Sequence, residues 1–293
     1  MKSRYLALFA LVLVQLFYGV TFTFANDVID GGHIMPFGFI VLRVTLAGAL
    51  FWIVSLFGSS KKIELKDFSK LIKAAFFGVA LNMLTFFKGL QYTTPINGSV
   101  IMITVPIIVL VLSAILLNEK INKTKVFGIS LGLFGALVLS LYGQSSETGN
   151  NILLGNFLIF INAASYSYYL ILIKKLTNKY HPLDFIKWLF LFGSLMVIPF
   201  GYQELAIVEW TNLPNYIWFS VIFVILFATF GTYFLNPLAL TNLKATTVST
   251  FLYLQPIFAG IFAIIMGSDR LDMIKVSAAT LIFIGVYLSL IHI

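Results

Sequence analysis

Residues 86–121, FFKGLQYTTPINGSVIMITVPIIVLVLSAILLNEKI, return in outline at residues 236–271, NPLALTNLKATTVSTFLYLQPIFAGIFAIIMGSDRL. Pro106, Glu119-Lys120, Lys125-Val126 and Gly135 stand 150 residues before Pro256, Asp269-Arg270, Lys275-Val276 and Gly285. Residues 88–140 and 238–290 share nine identities in 53 ungapped positions. So apolar a chain yields several such matches by chance, so the proline, the acid-base doublet and the glycine in fixed register carry the inference. The chain is a duplicated unit.

Composition says where such a unit lives. The sequence is 60% hydrophobic and 10% charged, against roughly 25% charged for a soluble domain. A membrane span needs about 20 apolar residues at 1.5 Å each. Ten segments meet that requirement: 5–25, 35–58, 71–91, 95–118, 124–143, 152–174, 183–203, 215–240, 244–267 and 272–291. Short connections leave no soluble domain. The expected fold is therefore an all-α integral membrane protein of ten transmembrane helices, with one unit in residues 1–143 and its copy in 144–293. Five crossings per unit is odd, so the second copy enters the membrane inverted. Inverted repeats place a substrate site near the bilayer midplane, between the two halves.

Lys and Arg in short loops set the orientation. With the N-terminus in the cytoplasm, 15 of the 19 basic residues fall on the inner side, among them Lys61, Lys62, Lys66, Lys123, Lys174 and Lys244. The outer loops then carry Asp27, Asp30, Glu147, Glu204 and Glu209. Both termini are expected in the cytoplasm, in the cell (inner) membrane. The first segment has the Lys2 and Arg4 of a signal peptide and a small-x-small pattern at Thr23-Phe24-Ala25. It is long for one, and its removal would leave nine spans, so it reads as a span.

Residues 86–121 resemble the signature of the drug/metabolite transporter superfamily, EamA type: Gly89-Leu90, Tyr92-Thr93, a central Pro106 and Glu119. The second copy gives Ala239-Leu240, Pro256 and Asp269, with Asn242 in place of the tyrosine and Asp269 in place of the usual glutamate. Tyr18-Gly19 and Tyr166-Ser167 stand where that family often has Trp-Gly and Trp-Ala. The resemblance covers nearly the whole chain. It implies ten helices in two inverted repeats, a central cavity formed by spans 1, 3, 4, 6, 8 and 9, and export of a small metabolite by alternating access. It says little about the cargo.

Arg43 is the sharpest site candidate. It lies eight or nine residues into the second span, where a cation costs roughly 2.5–3.5 kcal/mol by insertion scales. It either binds an anionic cargo or gate group, or ties its helix to neighbouring carbonyls. Lys88 sits one turn before the outer end of span 3. It either snorkels to the interface or places a charge at the cavity mouth. No carboxylate is expected inside a span. A cation pair without a counter-ion suits an anionic or zwitterionic cargo, and the missing carboxylate argues for facilitated exchange rather than a proton site. Amino acids and related zwitterions come first, phosphorylated sugars and other organic anions second.

Pro106 and Pro256 fall mid-span, where each removes a backbone hydrogen bond and kinks its helix, freeing carbonyls toward the pathway. Around them lie Gln15, Tyr18, Asn82, Asn97 and Asn162. Tyr166, Tyr233, Asn236, Tyr253 and Gln255 complete the polar set. Helix-helix hydrogen bonding explains about half of such residues; Gln255 and Asn82 are the foremost cavity candidates. An intramembrane enzyme would need a nucleophile-base pair, a metal cluster or paired carboxylates. None is visible: cysteine is absent, and His33, His181 and His292 are scattered in loops or at the C-terminus. No catalytic residue, metal site or cofactor is expected, nor a P-loop for ATP. The expected partners are a small molecule and the lipid bilayer, with no nucleic acid; the chain is a monomer or homodimer.

The orientation has a direct test. Cysteines introduced at Glu147 and Glu209 react with an impermeant thiol reagent in whole cells, and one at Lys62 does not; labelling at position 62 reverses the assignment.

Overall fold

The structure, a computed structural model, describes residues 2–29, 31–58, 61–93, 98, 101–141, 151–265 and 273–290. The regular secondary structure among these residues is helical, without a strand. The helices are α1 (Lys2–Ile29), α2 (Pro36–Ser55), α3 (Leu65–Leu90), α4 (Val105–Leu116) and α5 (Lys123–Leu141). They continue as α6 (Ile152–Thr177), α7 (Pro182–Ala206), α8 (Asn215–Asn242), α9 (residues 245–265) and α10 (Met273–Leu290). Each coincides with one expected apolar segment. Seven are long and apolar enough to cross a membrane, while Val105–Leu116 and Met273–Ser289 are shorter apolar helices. Phe9, Phe127, Phe157, Phe200 and Phe283 are all exposed, an apolar surface that belongs in lipid rather than water.

Local chemistry fixes the helix starts. Pro36 opens α2, and Glu204 of α7 accepts the free Phe37 and Gly38 amides at 2.7 and 2.8 Å. Pro182 opens α7 behind a His181–Asp184 capping box. Both prolines sit where no intrahelical N–H is needed.

Glycine sets the packing of the helix pairs. Gly38 of α2 lies on Glu204 and Leu205 of α7, and Gly48 on Phe190, so the two helices run antiparallel. A Cβ on Gly128 of α5 would meet the Gly285 carbonyl at 2.7 Å, and one on Gly135 would meet the Ala278 carbonyl at 2.7 Å. Those two contacts exchange under an offset of 150 residues, and they make α5 and α10 antiparallel. Without a hydrophobic drive between helices in lipid, such close backbone approach supplies the van der Waals contact that joins them. Other pairings also come in matched sets. Helix α3 packs on α6 as α8 packs on α1, and α4 packs on α6 as α9 packs on α1.

One expectation about the spans is corrected. Helix α3 begins at Leu65, six residues before the expected 71, so a carboxylate does enter it: Asp67, with its side chain 2% exposed. Its charge is met by Lys70 and Lys179, both at 2.6 Å, and by the Tyr180 hydroxyl at 2.9 Å. Lys179 also reaches Glu64 at 2.7 Å and, ahead of Lys66, holds that exposed carboxyl below its ordinary pKa. The loop before α3 and the loop after α6 are thus stapled together.

The glycine seam predicts a contrast. Gly285→Ala puts its Cβ 2.5 Å from the Gly132 nitrogen and 2.6 Å from the Gly128 carbonyl; overpacking of this kind costs about 1–3 kcal/mol. Gly260→Ala meets nothing within 4 Å and is expected to leave the melting temperature unchanged or slightly raised. Thermal unfolding in detergent compares them.

Candidate functional site

Arg43 of α2 is 8% exposed. Its Nε–H donates to Thr229 Oγ1 of α8 at 3.0 Å. The same hydroxyl donates to the Val224 carbonyl at 2.9 Å. A hydroxyl has one proton to give, so the roles of this trio are fixed. The guanidinium carries five N–H donors and stays charged. Among the described residues the other four find no acceptor.

The backbone here is irregular in a paired way. Residues Phe76–Ala80 of α3 and Val224–Gly231 of α8 form π-helical turns, and adding 150 to the first range gives 226–230, inside the second. π-bulges are rare and cluster at functional sites. Each engages the centre of the molecule. In α8 the bulge carries Thr229 to Arg43. In α3 it presents the Gly78 carbonyl, which accepts the Tyr233 hydroxyl at 2.6 Å.

Two tyrosines face Arg43, and further rings pack on one of them, Tyr233. The Tyr18 and Tyr233 hydroxyls lie within electrostatic reach of the guanidinium, and Tyr18 also faces Thr232. Tyr169 has ring centroids 6.0 Å from both Tyr166 and Tyr233. Phe190 meets Tyr233 edge-on at 5.0 Å. Arg43 thus meets neutral hydroxyls, and no carboxylate among the described residues neutralises it.

The remaining sequence candidates divide. Asn82 and Asn162 are brought together: the Asn162 amide donates to the Asn82 carbonyl at 2.6 Å, and the Asn82 amide reaches the Asn162 carbonyl at 3.5 Å. That reciprocal pair ties α3 to α6. It leaves Asn162 Oδ1 buried with no partner among the described residues, as is Gln15 Oε1 of α1. The Gln255 carbonyl packs near Gly19, beside Tyr18. Tyr253 is buried with its ring on Gly132 and its hydroxyl unpartnered among the described residues. Asn97 lies outside the described residues. Lys88 goes elsewhere: its ammonium bonds Gln91 at 3.0 Å and lies 5.1 Å from the Tyr92 ring centroid, and it shares no partner with Arg43.

Both prolines stand at breaks in α-helical bonding. A turn at Ile103 and Thr104 precedes Pro106, which opens α4. The 3-10 stretch Phe251–Leu254 immediately precedes Gln255 and Pro256. Glu119 caps α9. It accepts the Ala245 amide at 3.2 Å and the Thr246 hydroxyl at 2.8 Å, and Lys125 bonds that hydroxyl too.

Thr229 and Tyr169 escaped the sequence reading. The 150-residue offset was the available signal, for it maps Val79 and Asn82 onto Thr229 and Thr232. No group of three or more metal-ligating side chains occurs among the described residues.

Comparison with known proteins places this architecture. A protein of Archaeoglobus fulgidus described as an uncharacterized transporter is 28% identical over 95% of this chain and 96% of its own length. The uncharacterized transporter YetK of Bacillus subtilis is 26% identical over 86% of this chain and 76% of its own. A WAT1-related chloroplastic protein of Arabidopsis thaliana is 26% identical over 69% of this chain and 49% of its own. A crystal structure superposes with a TM-score of 0.81 over 99% of this chain and 96% of that one, at 15% identity, which shows a shared fold. The profile of the EamA-like transporter family matches residues 5–141 and again residues 153–291. The chain belongs to the EamA-like transporter family.

Proposed function

We propose that the protein is a secondary transporter that moves a small organic metabolite outward by alternating access. In this reading all ten helices span the cell membrane, both termini are cytoplasmic, and residues 1–143 and 144–293 are inverted repeats. The antiparallel pairs α2–α7 and α5–α10 support the inversion, as do contacts that exchange under the 150-residue offset and a family profile that matches twice. The pathway runs between the halves, beside the two π-bulges and the breaks at Pro106 and Pro256.

Arg43 carries the reading of the cargo. A guanidinium cannot escape its desolvation cost by losing a proton, and a buried charge needs partners. Its one described hydrogen bond uses one donor of five. The unspent donors suit an acceptor that arrives and leaves, an anionic group on the cargo. Two acceptors elsewhere in the helix bundle, Asn162 Oδ1 and Gln15 Oε1, are buried with no partner among the described residues and suit an ammonium. A zwitterion such as an amino acid meets both requirements. Exchange of a phosphorylated sugar or other organic anion is the second reading. It called for Lys88 beside Arg43, and Lys88 is engaged with Gln91 and Tyr92.

Thermal stabilisation of the purified protein by amino acids, amines, sugar phosphates and nucleosides tests this. Amino acids are expected to raise the melting temperature. Arg43→Lys keeps the charge and loses the two-pronged fork; it is expected to raise the half-stabilising concentration about tenfold, a loss of about 1.4 kcal/mol, with the ligand-free melting temperature little changed. A fall in ligand-free stability without loss of affinity would instead make Arg43 a structural tie. Wild-type flux and affinity in Arg43→Gln liposomes would remove the residue from the site.

A further inference from the structure

We propose that Thr229 is the positioning residue of the Arg43 site, and that it restricts the site to a carboxylate-bearing cargo of one negative charge. The proposal rests on the reading of Arg43 as the cargo's anion partner and deepens it.

The first support is where the Thr229 proton goes. Threonines in these helices ordinarily donate to the carbonyl four residues back. Thr45 bonds Val41, Thr85 bonds Leu81 and Thr232 bonds Ala228, at 2.6 to 2.7 Å. Thr229 donates to Val224, five residues back, at 2.9 Å. That is the spacing of the π turn it occupies. The bulge therefore aims the hydroxyl differently from its neighbours, and its free lone pair points at Arg43 Nε.

The second support is what remains of the guanidinium. With Nε–H spent at 3.0 Å, the unspent edge is the pair of terminal nitrogens. Their parallel N–H groups match the two oxygens of a carboxylate. Thr229 is 0% exposed, so water does not compete for this contact. A guanidinium without that anchor rotates about its last torsions, and the fork loses its direction.

Charge decides between carboxylate and phosphate. Among the described residues, the groups that face Arg43 are Tyr18, Tyr233 and Thr229, and none is a carboxylate. One buried positive charge offsets one negative charge. A phosphate dianion brings a second, which has no described partner here and is costly in a dry site.

The test uses full-length protein in liposomes loaded with the twenty common amino acids plus glucose 6-phosphate, with efflux read by mass spectrometry. Thr229→Val keeps the shape and removes the hydroxyl, and Thr229→Ser restores it. For the amino acids that wild type moves, Thr229→Val is expected to raise KM about tenfold with the maximal rate within twofold. Thr229→Ser is expected to return KM to within threefold of wild type. A merely structural threonine lowers the melting temperature and maximal rate without this split, and that result overturns the proposal. If Thr229→Val does not insert, Thr229→Ala, also without a hydroxyl, replaces it. Unchanged KM in Thr229→Val beside lost transport in Arg43→Gln rejects Thr229 and leaves the reading of Arg43 standing. Unchanged transport in Arg43→Gln rejects both. Wild-type liposomes that prefer glucose 6-phosphate, or move none of the pool, overturn the carboxylate assignment.

Discussion

A guanidinium that cannot lose its charge has been folded into the apolar centre of this molecule, and much of the surrounding structure answers to it. Insertion scales put the cost at roughly 2.5–3.5 kcal/mol. An opposite charge would offset that cost, yet none faces Arg43 among the described residues. Instead a threonine hydroxyl takes one donor, and Tyr18 and Tyr233 lie nearby. A regular α8 would bond the Thr229 hydroxyl along its own axis at the fourth carbonyl back. The π-bulge moves that bond to the fifth and frees a lone pair in the right direction. Irregular backbone, costly in a membrane unless it is buried in protein or lines a cavity, is here found beside the charge.

The bulge in α3 does matching work on the other side of the centre. Its Gly78 carbonyl receives the Tyr233 hydroxyl, and Tyr233 in turn lies within reach of Arg43. Helix α8 is thereby held to α2 through Thr229 and to α3 through Tyr233. Both bonds come from residues four apart, one turn, on the same helix. If Arg43 binds cargo as proposed, a movement of α8 relative to α2 and α3 acts on the site through these two bonds.

Most of the helices were legible in the sequence because hydropathy over 20 residues is a sum, and sums tolerate local error. Every described helix from α1 to α10 overlaps an expected span; the six-residue displacement at α3 arose because Leu65 and Phe68 are separated by charged residues that solvate the helix end. Arg43 was legible as a residue needing partners because a charge in an apolar run is costly to leave unmet. Pro106 and Pro256 were legible as breaks because proline lacks an N–H. Thr229 was not, since a threonine in a membrane helix ordinarily satisfies itself on its own backbone. π-bulges have no residue signature either: FFGVA and VILFATFG read as plain helix. Lys88 showed its charge in sequence but not its direction, which depended on Gln91 and Tyr92 lying one turn beyond it.

The duplication is less symmetric in chemistry than in packing. The loop before α3 is stapled to the loop after α6 by Asp67, Glu64, Lys179 and Tyr180. The equivalent meeting, of α8's start with the segment after α1, is His33 against Tyr216, with ring centroids 6.3 Å apart and a 3.5 Å polar contact. Among the described residues, one end therefore has a charge-assisted network around a buried carboxylate, and the other joins Val28 and Ile34 to Leu213 and Ile217 by apolar packing, with His33 and Tyr216 in polar contact. Charge-assisted hydrogen bonds are about twice as strong as neutral ones. Two identical inverted copies would give inward- and outward-open forms of equal energy, because exchanging the copies exchanges the forms. Different chemistry at the two ends removes that equality. For a carrier of the kind proposed, the staple biases the resting conformation before any cargo binds, and the cargo's own interaction with Arg43 must differ between the two forms for transport to be driven by binding.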